Sequence, residues 1–431
     1  MNSKESYRSA KLSVFLVVVI DLLGFGIVLP LLPRYSKDLY SFSSFAPEAR
    51  GFVIGAIMAI FSLMQFFFAP AWGILSDRIG RRPVLLVGLA GSVVFYGLFA
   101  FASTLGSDQA DLALALLFIS RLGAGIAGAT IATAQAVIAD CTPPQKRASG
   151  MALVGVAFGI GFTLGPLIAA LGLWLVPNEK ALPGILAAGL SFLALMYCFF
   201  KMPETLPAAG SDRPRKGWLS LNRLTETLRM PVIGSLVLVF FLATFGFAMF
   251  ESTLAVIATD SFQLESYQTL SLLFAYVGFV LMFVQGGFYR RLAKTVPELK
   301  LTRWGIILML GGLVGLAWAT RLSPENEFRI TLFLISLAVS VAGFAFLTPS
   351  VQALISRKAS ASRQGEVLAT NQSFSALARI LGPMVGLPLF DKSSVYPYVA
   401  GAVVLILVAG LVLQIQRQES ENQTATASPT S

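Results

Sequence analysis

Gly73-Ile74-Leu75-Ser76-Asp77-Arg78-Ile79-Gly80-Arg81-Arg82-Pro83 lies between two long apolar runs, 51 to 75 and 83 to 104. Each run exceeds the roughly 20 residues that a helix needs to cross the hydrocarbon of a bilayer. The link carries three arginines, which do not rest in oil, and Gly80 and Pro83, which punctuate helices. A link this short makes its flanking helices antiparallel neighbours, so the stretch reads as a polar turn between two membrane crossings.

The rest of the chain repeats this alternation. Of 431 residues, 56% are hydrophobic and only 13% charged, whereas soluble domains carry about 25% charge. The apolar runs are continuous, as in Leu12 to Leu32 and Val399 to Leu413, which excludes the short alternating strands of a membrane barrel. Twelve segments emerge, near 11–33, 51–75, 83–104, 111–139, 148–175, 182–201, 231–258, 267–290, 303–320, 328–354, 365–389 and 394–415. The expected fold is an all-α membrane protein of twelve transmembrane helices in two pseudo-symmetric six-helix bundles. There is no histidine, and the two cysteines, Cys141 and Cys198, suggest neither disulfide nor metal site. No cofactor, no metal and no cleaved signal are expected.

Lys and Arg set the orientation, because they are retained on the cytoplasmic side. One side, which includes both ends of the chain, holds 23 of the 32 and the other side 7, with Arg121 and Arg379 inside spans. Both termini are therefore expected in the cytoplasm, and the net charge of +10 is a topology signal rather than a nucleic-acid footprint. Residues 1–201 form the expected first bundle, 202–229 a Pro-rich linker, 230–416 the second bundle and 417–431 a disordered tail. Leu164-Gly165-Pro166 in the fifth span and Leu381-Gly382-Pro383 in the eleventh point to a duplicated half, a recurring plan of transporters.

Gly73, Asp77, Arg78, Gly80, Arg81 and Arg82 at these intervals resemble the most diagnostic signature of the major facilitator superfamily. Further matches extend over the first half. Asp21-Leu22-Leu23-Gly24-Phe25-Gly26 through Pro30 and Pro33 is similar to the first span of proton-driven drug exporters. Arg121-Leu122-Gly123-Ala124-Gly125, and the exit Ala139-Asp140 through Arg147, also resemble family patterns. Gly155, Gly159, Gly161, Gly165 and Pro166 resemble a glycine-rich antiporter motif, although Ala169 and Ala170 stand where glycine is usual. Together with Ala376 to Pro383, these place the chain nearest to tetracycline-transporter-like exporters, a group that also contains organic-anion carriers. The resemblance implies that Asp77, Arg78 and Arg81 latch the outward-facing state; Asp140, at a cytoplasmic helix end, reads as a solvated or latch-forming charge, and Arg147 is a further latch candidate. Physically, an acid can bind the positive N-terminus of a helix, and an arginine can hold acids at neighbouring helix ends.

Four ionisable residues lie inside spans, where each costs several kcal/mol and so marks function. Asp21 is ten residues past Lys11, about 15 Å along a helix; Arg121, Glu251 and Arg379 are similarly deep. With no histidine, proton coupling falls to Asp21 and Glu251, one in each half, with Arg121 and Arg379 competing for them as protons arrive. Acids and bases in equal number could also neutralise one another. Phe25, Gln65, Gln135, Phe250, Gln285, Asn371, Gln372 and Arg379 are the candidate lining of a solute site, expected between the bundles.

These features imply a secondary transporter that exports a small amphipathic or drug-like solute by proton antiport with alternating access. No phosphate-cradling Gly-x-x-x-x-Gly-Lys-Ser/Thr loop occurs, so ATP drive by this chain is not expected. The alternatives are an organic-anion or lysolipid carrier, uniporter or symporter, using the intramembrane arginines, and a transport-inactive receptor or scaffold. An enzyme is not expected, since the spans hold neither a metal-ligand cluster nor a histidine base. The partners expected are the solute, protons and the bilayer, for a monomer in a bacterial inner membrane.

Overall fold

In the computed structural model, residues 3–141, 147–177, 179–206, 225–226, 228–359 and 364–427 are described. They are almost wholly helical. In chain order the helices are α1 (Ser3–Val28), α2 (Leu32–Tyr40), α3 (Arg50–Ile79), α4 (Arg81–Thr104), α5 (Ala110–Ala127), α6 (Ile131–Asp140), α7 (Arg147–Leu175) and α8 (Leu182–Lys201). There follow α9 (Pro231–Asp260), α10 (Tyr267–Phe283), α11 (Glu298–Arg321), α12 (Phe328–Lys358), α13 (Gln364–Lys392) and α14 (Tyr396–Ala427). Among the described residues, eleven helical stretches are long and apolar enough to cross a membrane. Gly159–Leu175 of α7 adds a shorter apolar one.

Several expected spans are interrupted. Pro30 cannot donate the next helical hydrogen bond, so α1 ends at Val28 and the path resumes as α2. The fourth span tightens into a 3-10 turn at Gly128–Thr130 between α5 and α6. Carbonyls around this break are met from α3: Trp72 Nε1 donates to Ile126 O at 2.7 Å and Gln65 Nε2 to Gly128 O at 3.3 Å. The eighth span closes in a π turn, Val284–Tyr289, a device found mostly as single turns within longer helices. At the other end of the chain, α14 runs on to Ala427, through residues whose polarity predicts a disordered tail. Extending an established helix adds one bond per residue fixed, and the Gln, Glu and Ala found there suit a helix.

The chain divides into two compact units. The first holds Met1–Leu219 with Ala258–Phe279, the second Ser220–Ile257 with Val280–Ser431. In the first, α1 packs on α7 and α8, and α4 on α5 and α8, around a core of Val14, Val17, Val18, Leu22, Leu85, Leu89, Val137 and Ile138. Lipid is as apolar as leucine, so such contacts rest on close approach rather than on water expulsion. Gly26 supplies it: a Cβ there would stand 2.6 Å from Gly161 O and 3.3 Å from Gly165 Cα.

Ala258–Phe279 joins the first unit through polar contacts with α2. Lys37 pairs with Asp260, the Tyr267 hydroxyl donates to Asp38 Oδ2 at 3.3 Å, and Arg34 Nε lies 3.2 Å from the same oxygen. The Tyr35 and Tyr267 rings meet edge to face at 4.8 Å.

In the second unit α11 packs on α12 and α14, with Leu236, Val237, Phe240, Leu347, Val351, Val408 and Val412 in its core. The outer faces are apolar in both units. Val87, Val94 and Phe101 recur at seven-residue intervals along α4, each more than half exposed, as do Ile307 and Val314 on α11. Exposed stripes of this kind suit hydrocarbon rather than water. The chain is an integral, multi-pass membrane protein.

Candidate functional site

α1 presents Asp21 and Phe25 on one face, one turn apart. Asp21 is half-buried. The Ser92 hydroxyl donates to its Oδ1 at 3.3 Å, and the Thr130 hydroxyl is a second polar neighbour of the carboxyl. No ion pair joins Asp21 to any cation among the described residues.

Arg121 of α5 is 1% exposed. Its guanidinium carbon lies 4.5 Å from the centre of the Phe61 ring and 5.9 Å from that of Phe25, within the reach of cation–π attraction. Nε and Nη1 have no hydrogen-bond partner, and the Tyr96 hydroxyl lies close enough to act on the guanidinium electrostatically. Phe25 also packs on Phe61 at 4.9 Å and Phe162 at 5.8 Å. Acid and base are thus neighbours of one cluster without neutralising each other.

In the second unit Glu251 of α9 is half-buried, and Arg379 of α13 is its charged neighbour without an ion pair between them. Arg379 Nη2 donates to Ser375 Oγ at 3.2 Å. Asn371, Ser375 and Arg379 recur every fourth residue, which places them along one face of α13. Asn371 is 1% exposed, and its Oδ1 has no partner.

The turn between α3 and α4 is a third cluster, built on Arg81, which is 2% exposed. Its Nη2 lies 2.6 Å from Asp77 Oδ1 and its Nε 3.3 Å from Asp140 Oδ2, and its Nη1 donates to Ser76 Oγ at 2.6 Å. Ser76 in turn donates to the Gly73 carbonyl at 2.8 Å. Gly80, at φ +108°, reverses the chain in one residue; a side chain there would be strained and would also strike Glu204. Arg82 Nη2 donates to Phe199 O at 2.6 Å, and Arg78 is exposed. The Arg147 side chain and the backbone of 142–146 and 207–224 lie outside the described residues.

Sequence reading missed Glu204. Its Oε1 accepts the Arg81 N–H at 2.9 Å and its Oε2 the Arg82 N–H at 3.1 Å, capping the first turn of α4. Oε1 also accepts the N–H groups of Thr205 and Leu206. Burial raises the carboxyl, but these four N–H donors outweigh it and hold Glu204 below the usual carboxylate range. A depressed group stabilises above its ordinary titration range and loses that contribution as pH falls through its lowered value. Glu204→Ala is expected to cost about 1 kcal/mol, as capping residues do. Thermal unfolding in detergent should show a lower Tm at neutral pH, with the gap from wild type closing in acid.

The sequence pattern that defines the Major Facilitator Superfamily matches residues 14–383. This chain belongs to that superfamily. The mouse major facilitator superfamily domain-containing protein 10 is 31% identical over 426 residues, covering 89% of this chain and 88% of the relative. The class G tetracycline resistance protein of Vibrio anguillarum is 31% identical over 389 residues, covering 90% and 92%. A crystal structure of a human organic anion transporter superposes with a TM-score of 0.62 at 27% identity, covering 94% of this chain and 99% of that one. The Escherichia coli xylose transporter in a partially occluded inward-open state gives 0.72 at 16% identity, covering 95% and 98%, and shows the fold alone.

On this superfamily framework the candidate lining residues fare differently. Phe25 stands in the Arg121 cluster, and Arg379 beside Glu251. Gln65 is bound to the Gly128 carbonyl, and Gln135 is half-buried on α6. Phe250 is sealed at 1% exposure against Phe247, 5.5 Å away. Gln285 sits half-buried in the π turn and Gln372 is exposed. Of the glycine series on α7, Gly161 and Gly165 meet α1, while a Cβ on Gly159 would meet nothing within 4 Å; Gly155 lies among residues whose side-chain surroundings are outside the described set. Pro166 is buried within the helix. Ser92, Tyr96 and Thr130 were not legible as site residues, because hydroxyls scattered through spans are common.

Proposed function

We propose that this chain is a secondary active transporter that moves a small amphipathic solute outward in exchange for entering protons, by alternating access. The observation that carries the reading is the Asp21 carboxylate, held deep in a span by hydroxyls and by no cation among the described residues. A hydroxyl both donates and accepts, so this environment tolerates a carboxylate and a carboxylic acid alike. An ion pair would instead fix the charged form. Glu251, without an ion pair to Arg379, is the second coupling acid, and Arg379 its partner in competition. The rings of Phe25, Phe61 and Phe162 beside Arg121 form an aromatic wall with one cationic point, which suits a solute with an apolar body and a polar head. The names of the tetracycline resistance relatives support export of such a molecule. The Arg81 cluster serves as the latch of one facing state.

The experiment is transport in proteoliposomes under an imposed pH gradient, wild type beside Asp21→Asn and Glu251→Gln. Termini in the cytoplasm, a monomeric state and a bacterial inner membrane complete the proposal.

A second reading, an organic-anion carrier, is favoured by the two partnerless nitrogens of Arg121 and by the likeness to a solved organic anion transporter. On that reading counterflow of an organic anion is independent of pH, and Arg121→Lys, which keeps charge but loses the planar fork, lowers it about tenfold or more. Counterflow unchanged by Arg121→Lys removes this reading.

A further inference from the structure

We infer that Tyr96, together with Ser92 one turn before it on α4, is a positioning pair that transmits the protonation state of Asp21 to the Arg121 guanidinium. This rests on the reading of Asp21 as a coupling acid. Residues four apart on a helix share a face, so a single stripe of α4 meets the acid of α1 through Ser92 and the base of α5 through Tyr96. The Ser92 hydroxyl, 2% exposed, donates to Asp21 at 3.3 Å. The Tyr96 hydroxyl lies within electrostatic reach of both the Arg121 guanidinium and the Asp21 carboxyl.

Gly24 makes the arrangement possible. A Cβ at that position would stand 2.7 Å from Tyr96 Cε2 and 3.0 Å from its hydroxyl oxygen, so the ring lies across a gap that any larger residue would fill. Gly24 is three residues after Asp21, and the hydroxyl is thereby carried toward the acid as well as the base.

The groups that face Asp21 are few. α4 brings Ser92 and Tyr96, the 3-10 turn brings Thr130, α5 brings Arg121 by way of Tyr96, and α8 brings the buried Cys198. At its crossing with Leu22, α7 offers the backbone of Gly161. With Asp21 ionised, its charge draws on Arg121 through the Tyr96 hydroxyl; with Asp21 protonated that pull disappears. The guanidinium, already lacking partners at Nε and Nη1, is then free to engage another group. Two side chains that never touch are coupled by a third, which also explains why acid and base are not locked together.

The test is pH-difference infrared spectroscopy of the full chain in lipid, which needs no transported solute. Asp21→Asn assigns the protonated carboxyl band and Arg121→Lys the guanidinium band. In wild type the guanidinium band should shift in step with the Asp21 band between about pH 5 and 9, the range open to buried carboxyls. Tyr96→Phe keeps the ring on Gly24 and should retain the carboxyl band while the guanidinium shift falls about threefold or more, the loss of one hydroxyl acting on a charged group. Ser92→Ala should displace the pH of the transition, and Ser92→Thr, which restores a hydroxyl, should return it. A guanidinium shift that persists in Tyr96→Phe overturns the relay and leaves the coupling role of Asp21 standing. No Asp21 band in that pH range removes the coupling role itself, and the relay with it.

Discussion

Asp21→Asn is expected to abolish solute movement driven by a pH gradient and to leave solute exchange at equal pH intact. The amide keeps the shape of the carboxyl and still accepts the Ser92 hydroxyl bond, so packing around α1 is preserved. What it lacks is a proton that leaves. Coupling requires the acid to differ in proton affinity between the two facing states, and each pKa unit of that difference is worth about 1.4 kcal/mol, a factor of about ten. Loss of the titrating group therefore removes at least about tenfold of gradient-driven accumulation. Glu251→Gln is expected to act in the same direction from the second half. Gradient-driven uptake at wild-type rate in both variants would sink the proton-coupled mechanism.

Gly26→Val is expected to cause the largest loss of folded protein. Its new side chain would begin 2.6 Å from the Gly161 carbonyl and 3.3 Å from Gly165 Cα. These are backbone atoms, which cannot swing aside as a flexible side chain does. Overpacking a close contact costs about 1–3 kcal/mol or more, and here α1 would have to withdraw from α7 along their whole crossing. Gly97→Val on α4 adds the same volume where a Cβ would meet nothing within 4 Å, and is the control. Monodisperse yield and thermal unfolding should fall for Gly26→Val and stay near wild type for Gly97→Val. Equal behaviour of the two variants would show that the α1–α7 approach does not limit stability.

In the first unit some residues of the candidate site are legible in the amino-acid order and others are not. Asp21 and Arg121 stand out in one dimension because a charge inside a long apolar run is costly wherever the helix points. The turn around Arg81 stands out because its glycines and arginines repeat a recognisable spacing. Glu204 does not, although it caps the helix that the turn begins. It lies 123 residues from Arg81, and a glutamate after a proline at a helix end is unremarkable until something folds back onto it. Tyr96 is hidden for a related reason: its position depends on Gly24, a residue on another helix whose contribution is the absence of a side chain.

The number of crossings, the helical class and the placement of charge between water and oil follow from the amino-acid order alone. Hydrocarbon forbids unsatisfied backbone, so about twenty apolar residues in a row have few options. Order does not say how each helix is turned about its axis or how closely it crosses its neighbours. Those choices put hydroxyls rather than cations against Asp21, rings against Arg121, and Asp260 and Tyr267 against α2. They depend on which small residues let backbones meet, a property of pairs of helices that no single segment carries.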